Sequence, residues 1–217
     1  MRIGSEKLII ETSNGNLEAL LDKPNENKQS IESNDYIAVC CHPHSLHGGT
    51  LTNKVVYTLS KAMASMGIPS LRFNFRGVGN SDGIYDDGVG EQDDLANIVS
   101  WLQEKYPGRK LILGGFSFGA FVSIMAAKRL DAKIIISVAP PVGRFDFSSL
   151  ELPICPWHVI QGDKDELVNY NDVENWICKQ KEDKQKVKLE LITVKGASHF
   201  FHGKLVELRD YVEGIIS

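Results

Sequence analysis

The sequence predicts an α/β domain over residues 1–217, with a mostly parallel sheet of about eight strands and helices on both faces. Three observations predict it. Two apolar runs near the N-terminus flank an Asn-Gly dipeptide, the signature of a β-hairpin. After residue 35, short apolar runs alternate with segments of helical period. The composition, 42% hydrophobic and 24% charged over 217 residues, suits a chain that buries a sizeable core. It excludes disordered, collagen-like and disulfide-scaffold classes.

The elements follow in order. Residues 7–12 and 16–22 are the hairpin strands, with Asn14 and Gly15 as the turn. Residues 24–35, polar and rich in Pro and Asn, read as a surface loop. Residues 36–41 are a buried strand whose Cys40 and Cys41 point to opposite faces. A helix spans 53–66, with Thr52 as N-cap, Val56, Leu59, Met63 and Met66 as apolar stripe, and Gly67 as stop. Residues 68–75 are a strand. Residues 91–105 are a helix with Glu91, Asp93 and Asp94 in its first turn, where the macrodipole favours acids, and a stripe of Leu95, Ile98 and Leu102. Pro107-Gly108 turns the chain into a strand at 110–114. The helix expected over 118–130 is apolar nearly all round and should be buried. Strands at 133–138, 157–161 and 187–194 complete the sheet, with helices near 171–180 and 204–216.

Charge narrows the partners. The formal net charge of −4 provides no basic field for nucleic acid or an anionic membrane. The mixed run 179–188 reads as a solvated helix end. Residues 111–127 carry no charge, but Gly114, Gly115, Ser117 and Gly119 interrupt them, which suits strand, turn and helix rather than a membrane span. No apolar core of signal-peptide length is expected before Glu11. Cys40, Cys41, Cys155 and Cys178 show no paired metal spacing and read as reduced, buried thiols of a cytoplasmic protein.

Gly115-Phe-Ser117-Phe-Gly119 is a G-x-S-x-G motif between an expected strand and an expected helix. A serine on so sharp a turn is lifted above the sheet, and larger residues at the two glycines would collide with neighbouring elements. The following helix N-terminus favours a developing negative charge. A serine nucleophile needs a base and an orienting acid, expected in loops after later strands. The loop after 157–161 offers Asp163 or Asp165, and the loop after 187–194 offers His199 or His202. One oxyanion donor is the Phe118 N–H, and the second comes from the loop 41–50, where Gly48-Gly49 permits a tight path.

Two other patterns in the sequence compete with this one. His42-x-His44-x-x-His47, with His158, His199 and His202, is similar to the first ligand motif of metallo-β-lactamase-like hydrolases, which would make a metal-dependent hydrolase. That motif has Asp before its last His, and here Leu46 stands there. The Gly-rich stretch 76–83 fails as a dinucleotide fingerprint, because its third Gly would fall at Asp82. A non-catalytic binding module on the same fold is a further alternative, opposed by candidates for all three triad roles.

Together these residues resemble the α/β-hydrolase superfamily over nearly the whole chain. His42-Pro43-His44, Gly48-Gly49-Thr50, Asn53 to Val56, Leu71 to Gly83 and Gly90-Glu91 look like a compact, lidless bacterial branch of serine hydrolases. That branch usually has His-Pro-His-Pro, where this chain has Ser45 in place of the second proline. The resemblance implies an α/β-hydrolase fold without a lid domain, since residues 139–156 are too few for a helical cap. It favours Asp165 as the acid, because Gly162, Asp165 and Val168 match G-x-x-D-x-x-V. It favours His199 as the base through Gly196 and His199 in G-x-x-H. The His44 N–H is the implied second oxyanion donor, with Ser45 as second choice. The expected activity is hydrolysis of a small carboxylic ester or thioester through Ser117, with Asp165, His199, Phe118 and His44 in the site. A small-molecule acyl substrate, no cofactor, no nucleic acid and no membrane are the expected partners.

Overall fold

The computed structural model describes residues 4–25, 27, 35–151, 153–183 and 188–217. The loop expected over 24–35 and the end of the run 179–188 lie largely outside the described residues.

Eight strands form one sheet in the order β1-β2-β4-β3-β5-β6-β7-β8. They are β1 (Ser5–Thr12), β2 (Gly15–Asp22), β3 (Tyr36–Cys41), β4 (Ser70–Phe73), β5 (Lys110–Phe116), β6 (Ile134–Val138), β7 (Trp157–Gly162) and β8 (Leu189–Val194). The hairpin joins the sheet antiparallel, through β2 against β4. All later neighbours are parallel, as the β-α alternation predicts. The helices are α1 (Lys54–Ser65), α2 (Val89–Lys105), α3 (Phe118–Ala126), α4 (Tyr170–Asp183) and α5 (Leu205–Ile216).

The sheet separates two apolar cores. Val56, Leu59 and Met63 of α1 pack with Leu208 and Val212 of α5 on one face. Leu95, Ile98 and Leu102 of α2 pack with Val122 of α3 and Val173 and Ile177 of α4 on the other. Cys40 belongs to the first core and Cys41 to the second, so the vicinal pair does straddle β3. Burial pushes the Cys40 thiol up to about 12 and raises Cys41 as well, which keeps both inert. Cys178 departs from the expectation of buried thiols: it is exposed on α4.

Local chemistry shifts several expected boundaries. The hairpin turn is Ser13-Asn14, one residue earlier than Asn14-Gly15, because Thr12 pairs with Gly15. The Thr12 hydroxyl donates to the Gly15 carbonyl at 2.6 Å and accepts the Asn14 N–H, while Gly15 takes a φ of 112°. Asn53, not Thr52, caps α1: its Oδ1 accepts the N–H groups of Val55 and Val56, while the Thr52 hydroxyl is engaged with Thr50. Helix α2 begins two residues before Glu91, whose carboxylate reaches back to the Asp86 and Gly88 N–H groups. Asp94 is no dipole partner: it is buried and pairs with Arg76 through Nε and Nη2.

Asp22 ends β2 as the centre of a buried polar cluster. It accepts from Arg72 Nε at 2.8 Å and from the hydroxyls of Ser5 and Ser60, with Lys61 Nζ at 2.7 Å. Burial alone would raise its pKa, but the hydrogen bonds from Arg72, Lys61 and Ser5 outweigh it and hold the carboxyl below the usual range. A depressed folded pKa contributes stability that is complete above the unfolded carboxylate pKa and is lost as pH falls through the folded one. Asp22→Asn is therefore expected to cost about 3 kcal/mol near pH 7 and progressively less in acid. Urea melts of both proteins from neutral pH down to pH 3 test this. A destabilisation of equal size at both ends of the range contradicts it.

Candidate active site

Ser117 sits between β5 and α3 with φ 54° and ψ −118°, a conformation that costs a non-glycine residue strain. Its backbone is fixed from both sides. The Ser117 N–H donates to the Val138 carbonyl at 2.9 Å, and its own carbonyl accepts the Ala120 and Phe121 N–H groups. The two glycines are sterically required. A Cβ at Gly115 would stand 2.3 Å from the Gly119 carbonyl oxygen, and one at Gly119 would stand 2.3 Å from the Cys41 carbonyl oxygen. Phe118 opens α3, so its N–H has no intrahelical acceptor.

The Ser117 hydroxyl donates to His199 Nε2 at 3.2 Å, and His199 Nδ1–H donates to Asp165 Oδ2 at 2.9 Å. The His199 and Asp165 side chains are 4% and 0% exposed, which keeps water from competing for this chain. Asp165 Oδ1 also accepts the Leu167 and Val168 N–H groups, and Oδ2 accepts from Gln161 Nε2. Burial works to raise the Asp165 pKa. The donors His199, Val168 and Leu167 more than offset it and hold the carboxyl below its ordinary value, so it stays ionised.

Spacing left two alternatives open, and geometry separates them. Asp163 Oδ1 accepts the Gly196 N–H at 2.6 Å, so this carboxylate braces the loop that carries His199. His202 is exposed, and its ring lies 6.0 Å from that of Phe200. Glu166, which the sequence reading passed over, accepts the His199 N–H at 3.1 Å.

The loop after β3 frames the other side. His44 caps a short 3-10 turn, Ser45–His47, and its carbonyl accepts the His47 and Gly49 N–H groups. A Cβ at Gly49 would stand 2.0 Å from the Pro43 carbonyl oxygen, which explains the glycine there. His44 Nδ1 accepts the Leu46 N–H, which leaves the ring proton on Nε2 to face the Tyr85 hydroxyl at 3.1 Å. Burial and the adjacent His47 lower the His44 pKa, so the ring is neutral at pH 7.

The metal constellation does not assemble. His42 is buried, with Nδ1 2.6 Å from the Pro43 carbonyl and Nε2 accepting the Phe75 N–H at 3.0 Å. Both ring nitrogens are committed to backbone, and burial lowers its pKa to about 4. His158 stands instead beside Glu190 of β8 at 3.3 Å. Among the described residues, no group of three His, Cys, Asp or Glu side chains is placed to hold a metal ion.

Ser117 and His199 open on a cavity of about 390 Å³, walled by Phe118, Phe145, Val168 and Phe200 among others. Residues 139–156, where described, contain no helix and leave the cavity uncapped. Arg144 of this segment also lines it. Sequence reading missed Arg144, although it is the only Lys or Arg between 139 and 156. No helix among the described residues is long and apolar enough to cross a membrane.

Comparison with known proteins agrees with this architecture. The family model described as X-Pro dipeptidyl-peptidase (S15 family) matches residues 21–151. A Xanthomonas campestris structure described as an α/β serine hydrolase without lid is 40% identical, with a TM-score of 0.89, covering 99% of this chain and 94% of that one. An α/β serine hydrolase homologue from Coxiella burnetii is 39% identical with a TM-score of 0.89, covering 100% of both chains. The uncharacterized protein RP471 of Rickettsia prowazekii is 37% identical over 194 residues, 85% of this chain and 81% of that protein. With its eight-stranded sheet and uncapped serine elbow, the chain belongs to the α/β-hydrolase superfamily, in the X-Pro dipeptidyl-peptidase (S15) family and beside serine hydrolases that lack a lid.

Proposed function

We propose that the protein cleaves a small carboxylic ester or thioester through an acyl-enzyme on Ser117. The observation that carries this reading is the hydrogen-bonded series Ser117–His199–Asp165 opening directly on the cavity. Ser117 Oγ attacks the acyl carbon as His199 Nε2 takes its proton. Asp165 holds the His199 tautomer and balances the imidazolium. The Phe118 and His44 N–H groups receive the oxyanion, each contributing about 3–4 kcal/mol. His199 then protonates the leaving alcohol or thiol. Water, deprotonated by the same imidazole, releases the acid and restores Ser117.

A dipeptidyl substrate would present an N-terminal ammonium to the site. Among the described residues no carboxylate lines the cavity to receive one, which favours the ester or thioester reading. The free cysteines support a cytoplasmic setting for the reaction. The direct test is a serine-directed fluorophosphonate. Covalent labelling of the wild-type protein that disappears in Ser117→Ala supports the reading, and a folded wild-type protein that resists labelling opposes it.

The open site also sets a size limit. A buried methylene contributes about 0.8 kcal/mol only where a wall covers it, so kcat/KM is expected to peak at acyl chains of roughly two to six carbons. No jump is expected when substrate passes from monomer to micelle, because no lid waits to open. A p-nitrophenyl ester series measures this, and an optimum at about twelve carbons or beyond contradicts it.

A further inference from the structure

We propose that the natural substrate carries a carboxylate or phosphate, and that Arg144 on the cavity wall receives it. This rests on the reading of Ser117 as nucleophile and names the class of substrate that nucleophile serves.

Arg144 is held at its backbone and at Nε. Its own N–H and that of Phe145 both donate to the Pro141 carbonyl, at 3.0 and 3.3 Å, which closes a tight turn after β6. The Phe145 ring lies 4.8 Å from Phe121 and 5.3 Å from Phe118, which ties that turn to the nucleophile helix. Arg144 Nε then donates to the Leu167 carbonyl at 2.8 Å. Leu167 is held in turn by Asp165, so the guanidinium bridges the loop after β6 and the acid loop after β7.

The rest of the guanidinium is uncommitted. Arg72, Arg76, Arg129 and Arg209 each pair with a carboxylate, namely Asp22, Asp94, Asp93 and Asp210. Among the described residues, Arg144 Nη1 and Nη2 have neither an ion pair nor a hydrogen bond. The acids nearest in the chain are occupied: Asp146 accepts from Ser148, Asp165 is buried behind His199, and Glu166 accepts the His199 N–H. The cavity that Ser117 and His199 line thus also presents one unpaired cation, and no carboxylate lines it among the described residues. With Nε fixed, the two Nη groups form the planar fork that matches a carboxylate or phosphate.

The test compares esters that differ in charge. Monoethyl glutarate against ethyl pentanoate places the carboxylate on the acyl side, and 4-acetoxybutanoate against pentyl acetate places it on the alcohol side. The wild-type protein is expected to favour the anionic member of at least one pair by about tenfold in kcat/KM. That ratio should fall towards one in Arg144→Gln, survive in part in Arg144→Lys, and shrink as salt is raised. The pair that shows the effect tells which side of the ester Arg144 reads. Turnover of both neutral esters with no preference in either pair overturns the proposal and leaves the serine mechanism standing. An anionic preference that persists in Arg144→Gln overturns the assignment to Arg144. Failure to turn over any ester, charged or neutral, removes the underlying reading and this proposal with it.

Discussion

Ser117→Ala is expected to fold like the wild-type protein and to lose a factor of roughly 10⁴ or more in kcat. Among the described residues the serine hydroxyl has one hydrogen-bond partner, His199 Nε2. Its backbone N–H and carbonyl, which hold the turn between β5 and α3, are unaffected by the substitution. The positive φ at this position strains alanine as it strains serine. A thermal melt and steady-state kinetics on one preparation check both halves of the expectation. Near-wild-type turnover by a folded Ser117→Ala protein contradicts the mechanism.

Asp165→Asn should lose roughly 10⁴ in kcat, while Asp163→Asn should lose far less. Asp165 accepts the His199 Nδ1–H hydrogen bond on one oxygen and two backbone N–H hydrogen bonds on the other. An amide cannot accept at both ends. Either the backbone donors face an NH₂, or His199 is pushed into the tautomer whose Nε2 carries the proton and cannot serve as base. Asn at 163 still offers a carbonyl oxygen to the Gly196 N–H. His199→Ala should likewise exceed His202→Ala, whose ring stands outside the hydrogen-bonded series. Kinetics on the four variants decide the ranking, and a reversal at either pair overturns the assignment.

The alternation of apolar runs made the sheet legible in the sequence, because parallel strands buried on both faces read as continuous apolar segments. The sharp turn at Ser117 was legible because it needs glycine on either side, and those two glycines are visible as letters. What stayed illegible was the choice among near neighbours. Asp163 and Asp165 lie in one loop, and only the backbone each one reaches separates bracing the turn from holding His199. Thr52 and Asn53 are both good caps, and the side bond from Thr50 decided between them. His42, His44 and His47 carry a metal-like spacing, yet the fold commits His42 to two backbone groups. Arg144 gave no periodic or motif signal, and its placement depends on the Leu167 carbonyl of a distant loop.

The proposed mechanism turns on a covalent acyl-enzyme at Ser117. The most direct measurement is an acid quench of the protein during turnover of a short p-nitrophenyl ester, followed by proteolysis and mass spectrometry of the peptide that carries Gly115 to Gly119. In the wild-type protein this peptide is expected to gain the mass of the acyl group on Ser117 as a burst of p-nitrophenol appears, and in Ser117→Ala the adduct is expected to be absent. Hydrolysis that proceeds with no adduct on this peptide, or with the acyl group on another residue, would contradict it.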